Sequence, residues 1–278
     1  MKISYLTYQF CRYTLNYCFE MACKYKFDGI EIWGGRPHAY AYDMDDIAIK
    51  NINKLKDKYN IPVSMFTPEI LAYPYSLSSR LQKEREETLE YLMKSLEVTS
   101  KIGSDKMQIT LPHPGYNINR KEILESIINS LKILCELAEK LNINIILEPL
   151  TPSEGGDLLT SVYDLEYLFD KVQSKALSSM IDIVVPTIEN EPIAEYFDVL
   201  KNKILYVHIS NSDGKTEFHS QLNEGIIPIV DVFSILKSYN YNGWCSIEIL
   251  SPYFRDPELY LCQSKRIIDN ILYSYNKS

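Results

Sequence analysis

Lys106-Met107-Gln108-Ile109-Thr110 is a short, mostly apolar run. Arg120 to Leu141 follows, with Leu124, Ile127, Ile128, Leu131, Leu134 and Ala138 at helical spacing. A second short run, Asn144-Ile145-Ile146-Leu147, comes directly after. Apolar positions recurring every three and four residues mark the buried face of a helix, whereas a brief run bounded by polar residues marks a buried strand. The stretch therefore predicts strand, helix, strand, the unit from which parallel sheets are built.

The same unit recurs in both directions. Upstream lie Ile3–Leu6 before Leu15–Tyr25, Gly29–Trp33 before Ile47–Tyr59, and Pro62–Phe66 before Arg80–Ile102. Downstream, Asn144–Leu147 precedes Ser161–Val172, Ser179–Ile183 precedes Ile193–Leu200, Ile204–Ile209 precedes Pro228–Tyr239, and Gly243–Ile249 precedes Pro257–Ser274. Eight β-then-α units in 278 residues predict an α/β fold closed into a (β/α)8 TIM barrel. The competing open, doubly wound sheet would carry a glycine-rich first turn. The chain has no G-x-G-x-x-G and no G-x-x-x-x-G-K-[ST]. Nothing resembling a linker divides it, so one barrel domain over residues 1–278 is expected.

Composition narrows the function. With 46% hydrophobic and 24% charged residues, the chain can build a large core, and disorder is excluded as its dominant state. A net charge of −8 repels phosphate backbones. The densest basic stretch, Lys83 to Arg85, is interleaved with Glu84, Glu86 and Glu87, so nucleic acid is not an expected partner. Arg12 and Asn16 interrupt the first twenty residues where an export signal needs its apolar core, and no run of eighteen apolar residues marks a membrane span. Six scattered cysteines without a C-x-x-C pair read as reduced thiols. The expected address is the cytoplasm.

Five apolar runs carry one ionisable residue between apolar neighbours: Ile30-Glu31-Ile32, Leu147-Glu148-Pro149, Ile181-Asp182-Ile183, Val207-His208-Ile209 and Ile247-Glu248-Ile249. Side chains alternate along a strand, so aliphatics facing the helices put the ionisable group inside the barrel. Most sit near the C-terminal end of their run, the face where such barrels hold active sites. Converging carboxylates repel unless something neutralises them, and a divalent cation does so. Glu148, Asp182, His208 and Glu248 are the predicted ligands. Three carboxylates, one imidazole and no thiolate favour Mn²⁺, Mg²⁺ or Co²⁺, with Zn²⁺ still compatible. Glu31 is either a carboxylate supporting the ligands or a packing residue. His113 lies just past the fourth strand, where it could reach a substrate hydroxyl or simply shape a turn. His38 follows Gly34-Gly35-Arg36-Pro37 and could fix backbone or carry specificity. His219, in a polar loop, is expected to be solvated.

Leu147-Glu148-Pro149-Leu150-Thr151-Pro152, Met180-Ile181-Asp182-Ile183, His208-Ile209 and Ser246-Ile247-Glu248 resemble the xylose isomerase-like barrels of the sugar isomerase/epimerase superfamily. Gly29-Ile30-Glu31-Ile32-Trp33-Gly34-Gly35-Arg36-Pro37-His38-Ala39, Thr67-Pro68-Glu69, Tyr73-Pro74-Tyr75 and Ser212-Asp213-Gly214 are similar to the bacterial fructoselysine 3-epimerases within it. The resemblance implies the same four metal ligands, with Glu148 and Glu248 as the acid/base pair. The reaction it implies is inversion of C3 in a ketose derivative, fructoselysine to psicoselysine, through an enediolate. It places Glu154 at a substrate-contacting position. Trp33, His38, Glu69 and His113 are further candidate substrate contacts. The resemblance also implies a small-molecule sugar substrate and a homo-oligomer. Two positions depart from the related ketose 3-epimerases: Val185 stands for a histidine and Gly214 for an arginine, both of which hold free ketohexoses. Asn223-Glu224-Gly225 replaces a Gly-x-Gly. A ketohexose 3-epimerase, an isomerase or a dehydratase on the same barrel remain alternatives. A histidine-rich multi-metal endonuclease does not fit four histidines. Both glutamates intact argue against a non-catalytic sugar-binding barrel.

Overall fold

A computed structural model describes residues 1–216, 218–250 and 253–275. Eight strands are present among them: β1 (Lys2–Tyr5), β2 (Ile30–Gly34), β3 (Val63–Pro68), β4 (Lys106–Thr110), β5 (Asn144–Glu148), β6 (Leu177–Asp182), β7 (Ile204–Ile209) and β8 (Trp244–Ile247). All pair in parallel in one sheet of order β1-β8-β7-β6-β5-β4-β3-β2. A parallel bridge between Leu6 and Glu31 brings the two ends together, so the sheet curls into the expected barrel.

The helices are α1 (Leu15–Lys24), α2 (Asp46–Tyr59), α3 (Gln82–Lys101), α4 (Arg120–Leu141), α5 (Val162–Val172), α6 (Val184–Glu189), α7 (Ile193–Leu200), α8 (Ile229–Ser238) and α9 (Pro257–Tyr275). Their ends follow local chemistry. Asn119 accepts from the Glu122 amide at the start of α4, and Asn142 at φ 56° ends it. Ser161 and Asp164 cap α5 reciprocally. The short α6 lacks the amphipathic period that marks longer helices. It starts because the Val184 amide donates to Asp182 Oδ1 at 2.8 Å and turns the chain directly off β6. None of the helices described is long and apolar enough to cross a membrane.

Strand alternation decides what lies inside. Ile145, Leu147, Ile181, Val207 and Ile209 join the large core between sheet and helices. Their neighbours Ile146, Met180 and Tyr206 point inward and close with Met65 into a small cluster of their own. The Tyr206 hydroxyl is bonded to the hydroxyls of Ser4 at 3.0 Å and Ser64 at 2.8 Å, so this floor has no unmet polar atom of its own at that point. Two residues further along the same strands, on the same inward face, stand Glu148, Asp182 and His208.

Candidate active site

Glu148 and Asp182 are the last residues of β5 and β6, His208 lies within β7, and Glu248 follows β8 directly. All four are buried, and one ligand atom from each falls within 4.8 Å of the others. His208 Nδ1 is 3.1 Å from Glu148 Oε1 and 2.7 Å from Glu248 Oε2. The second contact is close but poorly aligned, and Glu248 Oε2 is a buried oxygen with no hydrogen-bond partner among the described residues. A buried carboxylate oxygen without a well-formed hydrogen bond, crowded with two further carboxylates around shared imidazoles, is what a divalent cation would satisfy. The donor set therefore fits a divalent metal, which Glu148, Asp182, Glu248 and His208 Nδ1 could hold.

Glu31 resolves as a supporting carboxylate. Its two oxygens accept from His208 Nε2 at 3.1 Å each, and Thr67 Oγ1 donates to it at 2.6 Å. This leaves Nδ1 as the nitrogen turned to the cluster, the usual way a carboxylate fixes the tautomer of a metal-binding imidazole. Burial raises the Glu31 carboxyl, but His208 with Ser246 and Thr67 outweighs it and holds it below its ordinary value. Burial works against charge on His208, yet Glu248, Glu31 and Glu148 raise its pKa well above the usual imidazole range. Glu148 rises to about 7, chiefly by burial, with His208 opposing and Glu248 and Asp182 adding.

His219 corrects an expectation. It is 2% exposed, not solvated. Its loop folds back on the end of β7 through paired amide bonds between Asn211 and Ser220 at 3.0 and 2.8 Å, which carries the imidazole inward. Nε2 then donates to Asp182 Oδ2 at 2.7 Å. Burial raises the Asp182 carboxyl, but His219, His208 and the Val184 amide reverse the shift and lower it. A polar sequence hid this residue because the polarity belongs to the loop's own turns.

A cavity of about 180 Å³ opens above the cluster, walled by Glu148 and Glu248 together with Tyr8, Trp33, Glu69, Gln108, Thr110 and Glu154. No lysine or arginine is among its described lining residues. Trp33 Nε1 donates to Glu69 Oε2 at 2.6 Å and the Ala72 amide to Glu69 Oε1 at 2.8 Å, so this carboxylate is held in place. Tyr8 meets the Trp33 ring edge-on, centroids 4.8 Å apart. A larger cleft of about 420 Å³ lies at the opposite end of the barrel, beside Lys2 and Trp244, and has no carboxylate or imidazole among its described lining residues.

Of the other candidate contacts, Trp33, Glu69 and Glu154 reach the cavity wall, and His38 and His113 do not. His38 is buried under Trp33, with Nδ1 3.1 Å from Thr7 Oγ1 and Nε2 3.1 Å from the carbonyls of Phe10 and Tyr13. It ties β2 to the loop after β1. His113 Nδ1 accepts from the Gly115 amide at 2.8 Å and shapes its own turn. Gln108 escaped the search for ionisable residues, although it sits between Met107 and Ile109 in the same alternating pattern. Its Nε2 donates to Glu148 Oε2.

The barrel with an acid-rich, metal-capable centre at the C-terminal ends of its strands defines a known class. Residues 19–270 match the family model described as xylose isomerase-like TIM barrel, and the chain belongs to that family. Within it, the chain is 33% identical over 264 residues to fructoselysine 3-epimerase of Escherichia coli O157:H7, covering 95% of this chain and 96% of the relative. Among solved structures, a D-tagatose 3-epimerase-like protein superposes with a TM-score of 0.83 at 22% identity, covering 100% of this chain and 99% of that one. D-psicose 3-epimerase of Clostridium cellulolyticum H10 superposes with a TM-score of 0.81 at 17% identity, covering 98% and 99%. The named relatives are carbohydrate epimerases.

Proposed function

We propose that the chain is a divalent-metal-dependent 3-epimerase acting on an amine-bearing ketose, interconverting fructoselysine and psicoselysine. The observation carrying this reading is that Glu148 and Glu248, from separate strands, share one cluster and wall one cavity. Inverting a carbon next to a carbonyl requires a proton to leave one face and another to arrive on the opposite face. Two carboxylates on different strands supply the two faces; a single base would return the proton to the side it left. Glu148 serves one face of the reacting carbon from the cavity wall. Glu248 serves the other face, and the roles exchange in reverse. A cation held by Glu148, Asp182, His208 and Glu248 would supply polarisation of the carbonyl and countercharge for the developing anion. The donor set suits Mn²⁺, Mg²⁺ or Co²⁺ and tolerates Zn²⁺.

The amine follows from charge. A wall carrying Glu69 and Glu154, the Tyr8 and Trp33 rings and no lysine or arginine favours a cationic substituent over an anionic one. The 33% identical fructoselysine 3-epimerase supports the same substrate class. So do Val185, buried in α6, and Gly214, at φ 73° with Ile226 packed where a side chain would begin. Neither can hold a sugar oxygen as histidine or arginine would. We further read residues 1–278 as one catalytic domain working in the cytoplasm.

The test is incubation with fructoselysine and Mn²⁺ in D₂O, followed by proton NMR. Loss of the C3 proton signal with growth of the psicose-configured product is the expected result. Loss of water from the sugar makes the enzyme a dehydratase instead. Exchange confined to free ketohexoses discards the amine.

A further inference from the structure

The alternation that gathers acids at one mouth of the barrel gathers lysines at the other. Lys2 stands two residues before Ser4, whose hydroxyl meets that of Tyr206 inside the barrel. Lys106 stands two before Gln108, whose amide reaches Glu148. The strand period therefore puts both lysines on the inward face, at the N-terminal ends of β1 and β4. Trp244, the first residue of β8, pairs with Lys2 in register and packs against the floor formed by Met65, Ile146, Met180 and Tyr206. The Lys2 ammonium lies 5.2 Å from the centre of the Trp244 ring.

These residues line the cleft of about 420 Å³ beneath that floor, together with Lys201 and Tyr239, and no carboxylate is among its described lining residues. Lys2 and Lys201 are exposed and have no carboxylate partner among the described residues. Lys106 is 9% exposed, and Asp105 Oδ1, 2.8 Å away, takes one of its three ammonium protons. Asp198 accepts from the Tyr239 hydroxyl at 2.8 Å. On a chain of net charge −8, three ammonium groups around one cleft form a local positive field that draws anions.

We propose that this lower cleft is a second ligand site, which takes a phosphomonoester. Its phosphoryl group lies among Lys2, Lys106 and Lys201, and its organic part rests against Trp244 and Tyr239. The site shares no described lining residue with the upper cavity, so the proposal does not depend on the 3-epimerase reading. A dianion gains about twice what a carboxylate gains from the same ammonium groups. Lysine meets phosphate as a point charge with rotatable donors, which suits groups spread around a cleft. The rings favour a phosphate that carries an organic group over the bare ion.

The experiment is isothermal titration of the metal-loaded protein with inorganic phosphate, glucose 6-phosphate and AMP, with glucose and adenosine as uncharged controls. All three phosphates should saturate below about 10 mM, the two esters more tightly than the bare ion, and the controls should not bind. The tighter ester identifies the source of the phosphate, a sugar or a nucleotide. Lys106→Gln should weaken the esters by about 10- to 100-fold. Lys2→Gln and Lys201→Gln, at exposed positions, should weaken them by about 2- to 5-fold each. An unchanged Mn²⁺ isotherm checks that each variant is folded and that the upper cluster is intact. The exposed pair keeps the test open if Lys106→Gln does not fold. Absence of phosphate binding overturns the proposal, as does equal binding of the uncharged controls or full affinity in the lysine variants. Phosphate binding that disappears when the metal is removed would put the anion at the upper cluster and overturn it as well.

Discussion

Ile146, Met180 and Tyr206 stand two residues before Glu148, Asp182 and His208 on the same three strands, facing the same barrel axis. The lower layer is apolar and closed; the upper one crowds carboxylates and imidazoles around Glu248 Oε2. One strand step thus separates a layer that stabilises the barrel from a layer that strains it. The floor residues are fully buried and packed together, which closes the barrel beneath the cluster. A preorganised, charge-frustrated site of this kind is the usual cost of function on a stable scaffold.

The largest expected effects should divide along that line. Glu148→Gln or Glu248→Gln should lower C3 exchange by about 10²- to 10⁴-fold, since each would remove one of the two proposed proton-transfer groups. Neither should lower the thermal midpoint of the metal-free protein, because each deletes a buried anion from a cluster short of positive charge. Near-normal exchange in either variant would end the acid/base assignment. Ile146→Ala should do the reverse, costing about 2–5 kcal/mol in denaturant unfolding through the cavity it leaves. While folded it should still bind Mn²⁺. A floor variant that kept its stability but lost metal would show that the two layers are not separable.

Between these extremes lies Glu31, which belongs to neither layer and holds the far side of the His208 ring. Glu31→Gln should weaken Mn²⁺ binding by about 10- to 100-fold in a titration, and the stabilisation conferred by a fixed excess of metal should fall by about 1.4 to 2.7 kcal/mol with it. An unchanged isotherm would reduce Glu31 to packing.

How far the sequence reveals this contrast depends on what each residue does. Glu148, Asp182, His208 and Glu248 are legible because a strand's period of two forces a charge among aliphatics to one side, and eight such strands leave that side only the barrel axis. Glu31 is legible as a buried acid, but its bond to His208 spans 177 positions and no local pattern announces it. Gln108 obeys the same alternation and is missed only because an amide carries no charge. A search for any polar residue wedged in an apolar strand would find it. His219 is different in kind: it reaches Asp182 through the path of a folded-back loop, and the bridge between Asn211 and Ser220 that sets the path is a tertiary fact. The opposite error applies to His38, whose motif is readable while its ring partners, the Phe10 and Tyr13 carbonyls, are not.

A carboxylate on the outer surface calibrates the inner ones. Glu258, in the first turn of α9, accepts from Lys24 at 2.5 Å, Tyr25 at 2.6 Å and Tyr17 at 2.8 Å. The Lys24, Tyr25 and Tyr17 bonds lower its pKa from 4.5 to about 2, against a smaller opposing effect of burial. A carboxylate depressed by folding stabilises the native state above its unfolded pKa, and that contribution disappears as pH falls through the folded one. The stability lost in Glu258→Gln should therefore be constant at neutral pH, shrink between pH 4.5 and 2, and vanish below. Because the pair is partly exposed, solvent screening limits it to about 0.2–1 kcal/mol. Urea unfolding of both proteins across that range measures it. In the inner cluster the signs are mixed: Asp182 and Glu31, held low like Glu258, lose stability as acid protonates them, whereas protonation relieves Glu148, which burial raises. A deficit in Glu258→Gln that persisted unchanged below pH 2 would mean that the residue acts by shape, and the surface would no longer serve as the reference for the core.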